Sequence, residues 1–295
     1  MNVPCIVASG ALTPAGLDAL GSAFVARTQC LDPQPSSRDR EGRPIGVHRV
    51  DAVDPELEGI ERLLSLAIPA LLQITWPGVL PLYLALPGDI DDALFLARLA
   101  LVAPIDVEAS RVARIGAHGG VWAFEAARSA AAAGQAVLVG GVDSLIAEST
   151  LARLDAEGLL GTSDRDGLTP SEAAAFALIR PAASGVCISD ARYSENADVL
   201  RGAESSWLLT DLDGTPAKND AFADLVVAAG GVRFLRRDDL VWLYGDVGAA
   251  SVPLLAVHAA CAHAADFAPA DRSIVLLSAD AAERRGAVVL EVVDA

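Results

Sequence analysis

Short apolar runs alternate along the chain with longer segments in which apolar residues recur at helical spacing. Because the short runs are bounded by Gly, Pro or charged residues, they are typical of buried strands. Strands are predicted at Cys5–Ala8, Leu80–Leu86, Ala136–Val139, Ala174–Ile179, Val186–Ser189, Trp207–Leu209, Leu240–Tyr244, Ile274–Leu277 and Ala287–Val293. Helices are predicted over 15–27, 55–74, 90–101, 118–133, 146–154, 217–229 and 248–264. The alternation indicates an α/β fold with mixed sheets.

Two segments, 115–141 and 244–278, follow the same plan of turn, apolar helix and strand. Each begins with a G-x-x-G turn, from Gly116 to Gly119 and from Gly245 to Gly248. Both helices are apolar nearly all round, which predicts burial side by side at the centre of the molecule. The repeat predicts one duplicated domain over 1–295, with halves at about 1–150 and 151–295.

Composition excludes several classes of function. The chain has 295 residues, is 53% hydrophobic and carries a formal net charge of −17. This charge argues against binding to nucleic acid, anionic membranes or acidic acyl carrier proteins. No uninterrupted apolar run reaches the length of about 18 residues that a membrane span needs. The first residues lack the basic stretch of a signal peptide, so a bacterial cytoplasmic location is expected.

The reactive side chains are few. Four cysteines, Cys5, Cys30, Cys187 and Cys261, are far apart in sequence and form no C-x-x-C pair, so buried thiols are expected. Lys218 is the only lysine and falls in a polar stretch that predicts a loop.

Six segments in order resemble the β-ketoacyl synthases of the thiolase superfamily. They include an opening strand followed by ALTPAG (11–16), the RIGAHGG turn and helix (114–133), and SDRDGLTPSEAAAFALIRP (163–181), in which Arg165, Asp166, Gly167 and Glu172 match in register. The others are DLDGTPAKND (211–220), LYGDVGAASVP (243–253) and RGAVVLEVV (285–293). The resemblance covers nearly the whole chain and implies a five-layered α/β/α/β/α fold with two pseudo-symmetric halves.

That family performs decarboxylative condensation with one Cys and two His. The matching positions here hold Ala117, Asp211 and Gly245, and the lysine position falls near Leu240. The family's glycine-rich oxyanion loop is replaced by SADAAERRG (278–286). The resemblance therefore predicts a thiolase-like protein that is not an enzyme and needs no cofactor or metal. It also implies a dimer, with a strand at about 111–116 pairing across a two-fold axis.

Other residues leave alternatives open. His118 is interpreted as a structural residue that caps the turn or donates to a carbonyl, against a role as general base. His258, Cys261 and His263 lie on one predicted helix and are assigned to core packing, against a metal site. Asp211, Asp213 and Asp220 are assigned to a solvated loop, against metal binding or acid–base work. Arg233, Arg236 and Arg237 form a surface that pairs with nearby acids or binds an anion or a partner.

A narrower resemblance covers residues 11–74 and LALPGD (84–89). It is to the thiolase-like accessory proteins encoded beside spike proteins and effector chaperones of type VI secretion systems. It implies an adaptor or co-chaperone that binds an effector or its chaperone. Possible partner-binding residues are Arg38, Arg40, Arg43, Arg233, Arg236 and Arg237. The alternatives are an acyltransferase with altered chemistry around His118 and Asp211, and a chain-length-factor-like subunit of a synthase heterodimer.

Overall fold

A computed structural model describes residues 2–16, 37–162, 167–213, 215–278 and 285–294. Its strands are β1 (Val3–Leu12), β2 (Leu80–Ala85), β3 (Ile105–Ala113), β4 (Val137–Ser144), β5 (Glu172–Ala182), β6 (Gly185–Ser194), β7 (Trp207–Thr210), β8 (Arg236–Asp239), β9 (Arg272–Leu277) and β10 (Arg285–Val293). Its helices are α1 (Gly59–Leu71), α2 (Asp92–Ala100), α3 (His118–Ala132), α4 (Glu148–Ala156), α5 (Pro216–Ala228), α6 (Val241–Tyr244) and α7 (Ser251–Ala264).

The sheet repeats one strand order twice. The order is β3-β2-β4-β5-β1 followed by β6-β10-β9-β7-β8, so β1–β5 and β6–β10 correspond when read from opposite ends. The directions repeat as well. Strand β2 is parallel to β3 and β4, and β7 is parallel to β8 and β9. Strands β5 and β10 each lie antiparallel between two neighbours. The two halves are therefore pseudo-symmetric, as the sequence resemblance implies.

Successive strand residues face different helix layers, because side chains alternate across a strand. In β5, Ala175 and Ala177 face α3 and α7, whereas Phe176 and Leu178 face α1 and α2. The second half repeats this arrangement, with a separate core between its strands and α5. The order of layers is α1 and α2, first half-sheet, α3 and α7, second half-sheet, α5. The predicted central placement of the two apolar helices is confirmed.

The two half-sheets meet where β1 lies antiparallel to β6, with Cys5 opposite Cys187 and Ile6 opposite Val186. Cys5 and Cys187 form a disulfide, and both residues are buried. The expectation of buried thiols is therefore wrong for this pair, because the β1–β6 register places the two side chains next to each other. Cys261 lies on α7 and is not part of this disulfide, and Cys30 lies outside the described residues.

Three predicted elements need correction or fall outside the described chain. The sequence predicts a strand over 240–244, but these residues include the short helix α6. The strand lies just before it, in the charged segment β8. Strand β3 begins at Ile105, well before the strand expected at about 111–116, and it bulges between Asp106 and Arg111. Most of the predicted helix 15–27 lies outside the described residues. Among the described helices, none is long and apolar enough to cross a membrane.

Candidate functional site

The turn between β3 and α3 brings Ala117 to the start of a buried helix. Gly116 adopts a φ of +60°, which glycine allows at little cost, and Ala117 is the N-cap residue of α3 without a side-chain cap. The Ala117 methyl group packs against the central core. A methyl group can neither attack a carbonyl nor transfer a proton, so the residue at the helix N-terminus contributes no nucleophile.

His118 follows Ala117 and is buried. Its Nε2 lies 3.1 Å from the carbonyl oxygen of Ser278. Because a carbonyl oxygen only accepts, Nε2 donates in this hydrogen bond. The ring stacks on Tyr193 at a centroid distance of 5.9 Å, and the Tyr193 hydroxyl donates to the His118 carbonyl oxygen. These contacts match the structural interpretation of His118, in which the imidazole holds neighbouring backbone in place.

Asp211 lies directly after β7 and is bound to the residue that follows β9. Its Oδ1 accepts from the Ser278 backbone N–H at 2.7 Å, and its Oδ2 accepts from the Ser278 hydroxyl at 2.6 Å. The carboxylate therefore ties together the ends of two neighbouring parallel strands. Since Ser278 also binds His118, this residue links the Ala117 turn to Asp211.

Lys218 is on α5 rather than in a loop, and its side chain is half-buried. Its Nζ lies 3.0 Å from Asp213 Oδ2 and 3.9 Å from Asp211 Oδ2. Burial alone would lower the pKa of Lys218, but the carboxylates of Asp211, Asp246 and Asp213 outweigh it and raise the pKa above its ordinary value. The lysine is thus a cation at neutral pH and unsuited to Schiff-base chemistry, which needs the neutral amine.

Gly245 occupies a backbone position that excludes a side chain. Its φ is +72°, and a Cβ built there would lie 2.6 Å from Ser171 Cβ and 2.9 Å from the Thr169 carbonyl oxygen. The neighbouring turn is held by the half-buried Asp246 and the buried Asp143. Asp246 Oδ1 accepts from the Gly248 N–H at 2.9 Å, and Asp143 Oδ2 accepts from the Ala249 N–H at 2.7 Å. A histidine side chain therefore does not fit at Gly245 in this backbone conformation.

The described residues leave little empty space around Asp211. One cavity between Asp211, Lys218 and Phe222 has a volume of about 20 Å³, and another between Asp211, Tyr244 and Gly245 has about 10 Å³. A single water molecule needs roughly 10–15 Å³ by this kind of measure. Each of these two spaces holds one water molecule at most, and neither holds an acyl chain.

The helix residues assigned to core packing have separate partners. His258 Nδ1 lies 2.9 Å from the Tyr244 hydroxyl, and His263 Nε2 lies 2.7 Å from the Ser273 hydroxyl. Cys261 Sγ lies 3.5 Å from the Ser9 hydroxyl. The three side chains do not converge on one point.

Asp220, the third member of the predicted acidic loop, is exposed on α5, whereas Asp211 and Asp213 point inward.

The two arginine groups lie on different parts of the chain. Arg38 and Arg40 line an open groove of about 750 Å³ beside α4, whereas Arg233, Arg236 and Arg237 lie in and just before the edge strand β8. In the first group, Arg40 pairs with Glu41 at 2.8 Å and Arg43 pairs with Asp39 at 2.6 Å. Among the described residues, Asp39, Glu41 and Asp155 are the set whose ligand atoms lie close enough to share a cation. The Arg43 guanidinium already pairs with two of these three carboxylates, those of Asp39 and Glu41.

Two buried groups escaped the sequence predictions. Glu172 accepts from Arg62 Nε at 2.7 Å, from Arg62 Nη2 at 2.9 Å, and from the Val50 N–H and the Ser144 hydroxyl. Asp143 is buried, and burial raises its pKa to about 7 against the opposing N–H groups of Ala249 and Ser144. The match of Glu172 to the family motif was the one feature of the sequence that pointed to the buried Arg62–Glu172 group. Arg165 and Asp166 of the same motif lie outside the described residues.

No family model and no curated protein matches this sequence. Solved structures do match its fold. A chain described as a ketosynthase in complex with its chain length factor, from Xenorhabdus doucetiae, is 15% identical with a TM-score of 0.77, covering 99% of this chain and 98% of that one. A type II polyketide synthase ketosynthase complexed with its acyl carrier protein is 13% identical at a TM-score of 0.74, covering 99% and 100%. The 3-oxoacyl-(acyl carrier protein) synthase III of Pseudomonas aeruginosa is 16% identical at 0.60, covering 99% of both.

Proposed function

We propose that this chain is a non-catalytic subunit of thiolase-like fold that acts by binding another protein, as a chain length factor does. The partner is a second thiolase-fold chain that supplies the reactive Cys and His residues. The observation that carries the proposal is the closure of the site. The Cys position holds Ala117, Asp211 is hydrogen-bonded to Ser278, and no side chain fits at Gly245. Retention of the fold without the reactive residues is then explained by binding rather than turnover.

The first half of the molecule offers a surface for such a partner. Strand β3 is at one end of the sheet order, so its outer edge is unpaired within the described chain. Beside it, Leu94 and Leu101 on one face of α2 and its extension are exposed, as is Val107 in β3 itself. An unpaired edge next to exposed apolar residues is an aggregation hazard unless another chain covers it. We define this as the β3–α2 surface.

Two chains described as ketosynthases with chain length factors are among the structural matches, which favours a synthase partner. The type VI adaptor hypothesis rests on the sequence resemblance of residues 11–74. Of its candidate arginines, Arg40 and Arg43 pair with nearby acids, and Arg38 donates to the Gly42 carbonyl oxygen. An altered acyltransferase is the least favoured reading, because Lys218 and Ser278 already occupy the Asp211 carboxylate. A cytoplasmic location and a single domain over 1–295 remain parts of the proposal.

Affinity capture of the tagged chain from its native host, followed by identification of the bound proteins, tests the proposal. We expect a stoichiometric thiolase-fold partner that carries a Cys-His-His set. Leu101→Glu should abolish this complex, because it places a charge in an apolar contact, whereas Val227→Glu on the exposed face of α5 should leave it intact. Capture of a secretion effector or its chaperone instead would favour the adaptor hypothesis. A chain that binds neither and consumes acyl thioesters would refute a binding role.

A further inference from the structure

The start of β1 is held in the sheet by few hydrogen bonds. On one side, Pro4 lies opposite Pro181 of β5, and neither residue has a backbone N–H to donate. On the other side, β1 pairs with β6 only at Cys5 and Ile6. The two half-sheets therefore meet through a short and weakly hydrogen-bonded stretch. We call residues 3–6 the leading segment of β1.

A β-bulge separates the leading segment from the rest of the strand. The register with β5 shifts between Ile6 and Ala8, so Val7 is the extra residue, and it is 36% exposed. Beyond the bulge, β1 is tied to the layer above it, because Gln73 Nε2 donates to the Ala11 carbonyl oxygen at 2.9 Å. The leading segment can therefore move about the bulge while the remainder of β1 stays in place.

The disulfide between Cys5 and Cys187 fastens the leading segment covalently to the second half-sheet. Both cysteines are buried, so a reductant reaches the sulfur atoms only when the leading segment opens. Disulfides in cytosolic proteins are usually transient and serve redox sensing or catalysis. For the proposed cytoplasmic location, a bridge at this weakly held strand end is thus better explained by a reversible role than by a permanent one.

The two cysteines lie next to opposite charges. Arg180 of β5 is exposed and directly opposite Cys5. Glu291 of β10 is directly opposite Cys187 and pairs with Arg272 at 3.2 Å. Residues opposite each other in antiparallel strands have their side chains on the same face, and a neighbouring guanidinium stabilises a thiolate. Cys5 is therefore the better leaving group when the disulfide is cleaved.

We infer that the Cys5–Cys187 pair is a redox latch on the leading segment of β1. A thiolate of a dithiol reductant attacks Cys187 Sγ, the S–S bond breaks, and Cys5 Sγ leaves as a thiolate. The second thiol of the reductant then cleaves the mixed disulfide, so the reductant ends as a disulfide and the two cysteines gain two electrons and two protons. The leading segment is then released as far as the bulge, and Ile6 leaves the central core. The latch does not depend on the partner proposed above.

Hydrogen exchange followed by mass spectrometry tests the latch. The protein carries Cys30→Ser and Cys261→Ser, so that Cys5 and Cys187 are its remaining cysteines. Reduction by dithiothreitol without denaturant should speed exchange at least about tenfold in peptides that cover residues 2–7 and 185–189. Exchange in residues 8–12 and in β9 should stay unchanged. Reoxidation by glutathione disulfide should restore the slow exchange.

Matched variants separate a latch from a disulfide that only stabilises the fold. Cys5→Ser combined with Cys187→Ser should exchange like the reduced protein in both buffers. Arg180→Gln should slow reduction by about threefold, as read by alkylation of the released thiols, whereas Arg201→Gln should not.

Three results would overturn the inference. They are reduction that requires denaturant, exchange of residues 2–7 that does not change on reduction, and exchange that quickens as much in β9 as in residues 2–7. A reduction rate that Arg180→Gln leaves unchanged would overturn the assignment of Cys5 as the leaving group.

Discussion

Replacing Gly120 by Ala tests the packing of the two central helices. A Cβ built on Gly120 of α3 lies 2.6 Å from Val252 Cβ and 2.7 Å from Pro253 Cδ of α7. Ordinary carbon contacts are about 3.5–4.0 Å, so the helices would have to move apart by roughly 1 Å. Both contacted atoms are held close to the α7 backbone, and rotation of a side chain cannot relieve the overlap. The perturbation therefore acts on the position of a whole helix.

The expected cost follows from two opposing terms. Overpacking of a well-packed core costs typically about 1–3 kcal/mol. The change from Gly to Ala within a helix gains up to about 1 kcal/mol of intrinsic propensity. We therefore expect Gly120→Ala to lower the free energy of unfolding by about 1–2 kcal/mol, which corresponds to a fall in Tm of roughly 2–3 °C for a chain of this size.

Urea unfolding followed by circular dichroism measures this difference. Gly88→Ala is the control, since its nearest neighbour to the added Cβ is the Arg114 carbonyl oxygen at 3.8 Å. It should change the unfolding free energy by no more than about 0.5 kcal/mol. If Gly120→Ala is as stable as the wild type or more stable, only the propensity term operates. The close contact between α3 and α7 would then be refuted.

Three further predictions concern buried groups. Glu172→Gln should lower the free energy of urea unfolding by about 3–5 kcal/mol, because it leaves Arg62 charged and buried without its counter-ion. The control Glu61→Gln breaks an exposed ion pair and should cost less than about 1 kcal/mol. Equal costs for the two variants would contradict the assignment of Arg62 and Glu172 as a buried ion pair. Because folding raises the pKa of Asp143 to about 7, the native state binds this proton more tightly than the unfolded state does, and stability falls as pH rises from 6 to 8. The fall should be about 1 kcal/mol larger for the wild type than for Asp143→Asn, and parallel pH profiles would contradict it. Peptide mapping without reduction should recover Cys5 linked to Cys187 after air oxidation, and recovery of both as alkylated thiols would refute the disulfide.

The sequence predicted the layered core well because its signal is local. The central helices are apolar all round, and helix propensity, the G-x-x-G turns and strand boundaries all agree there. It failed at β8 and α6, where a charged segment forms the strand and the apolar segment beside it forms a short helix. A short apolar run does not distinguish a strand from a short helix. The pairing of β8 with β7 makes the charged segment the strand.

The sequence predicted which residues lie in the candidate site but not what surrounds them. Matching the family motifs located Ala117, Asp211 and Gly245, but their surroundings depend on residues that are distant in sequence. The partner of Asp211 is Ser278, which is 67 residues away, and Arg62 meets Glu172 across 110 residues. Likewise, Cys5 meets Cys187 only through the β1–β6 register. One sequence does not specify such long-range pairs, because many pairings satisfy the same composition.

Intact-protein mass spectrometry with acyl- and malonyl-thioesters tests the central claim, that the chain itself performs no condensation. The wild type should show no covalent acyl adduct and release no carbon dioxide from the malonyl thioester, since Ala117 offers no nucleophile and Gly245 no histidine. Ala117→Cys should recover no malonyl decarboxylation, because catalytic groups act as a unit and Asp211 stays bound to Ser278. An acyl adduct on the wild-type chain that is consumed when malonyl thioester is added would contradict the account.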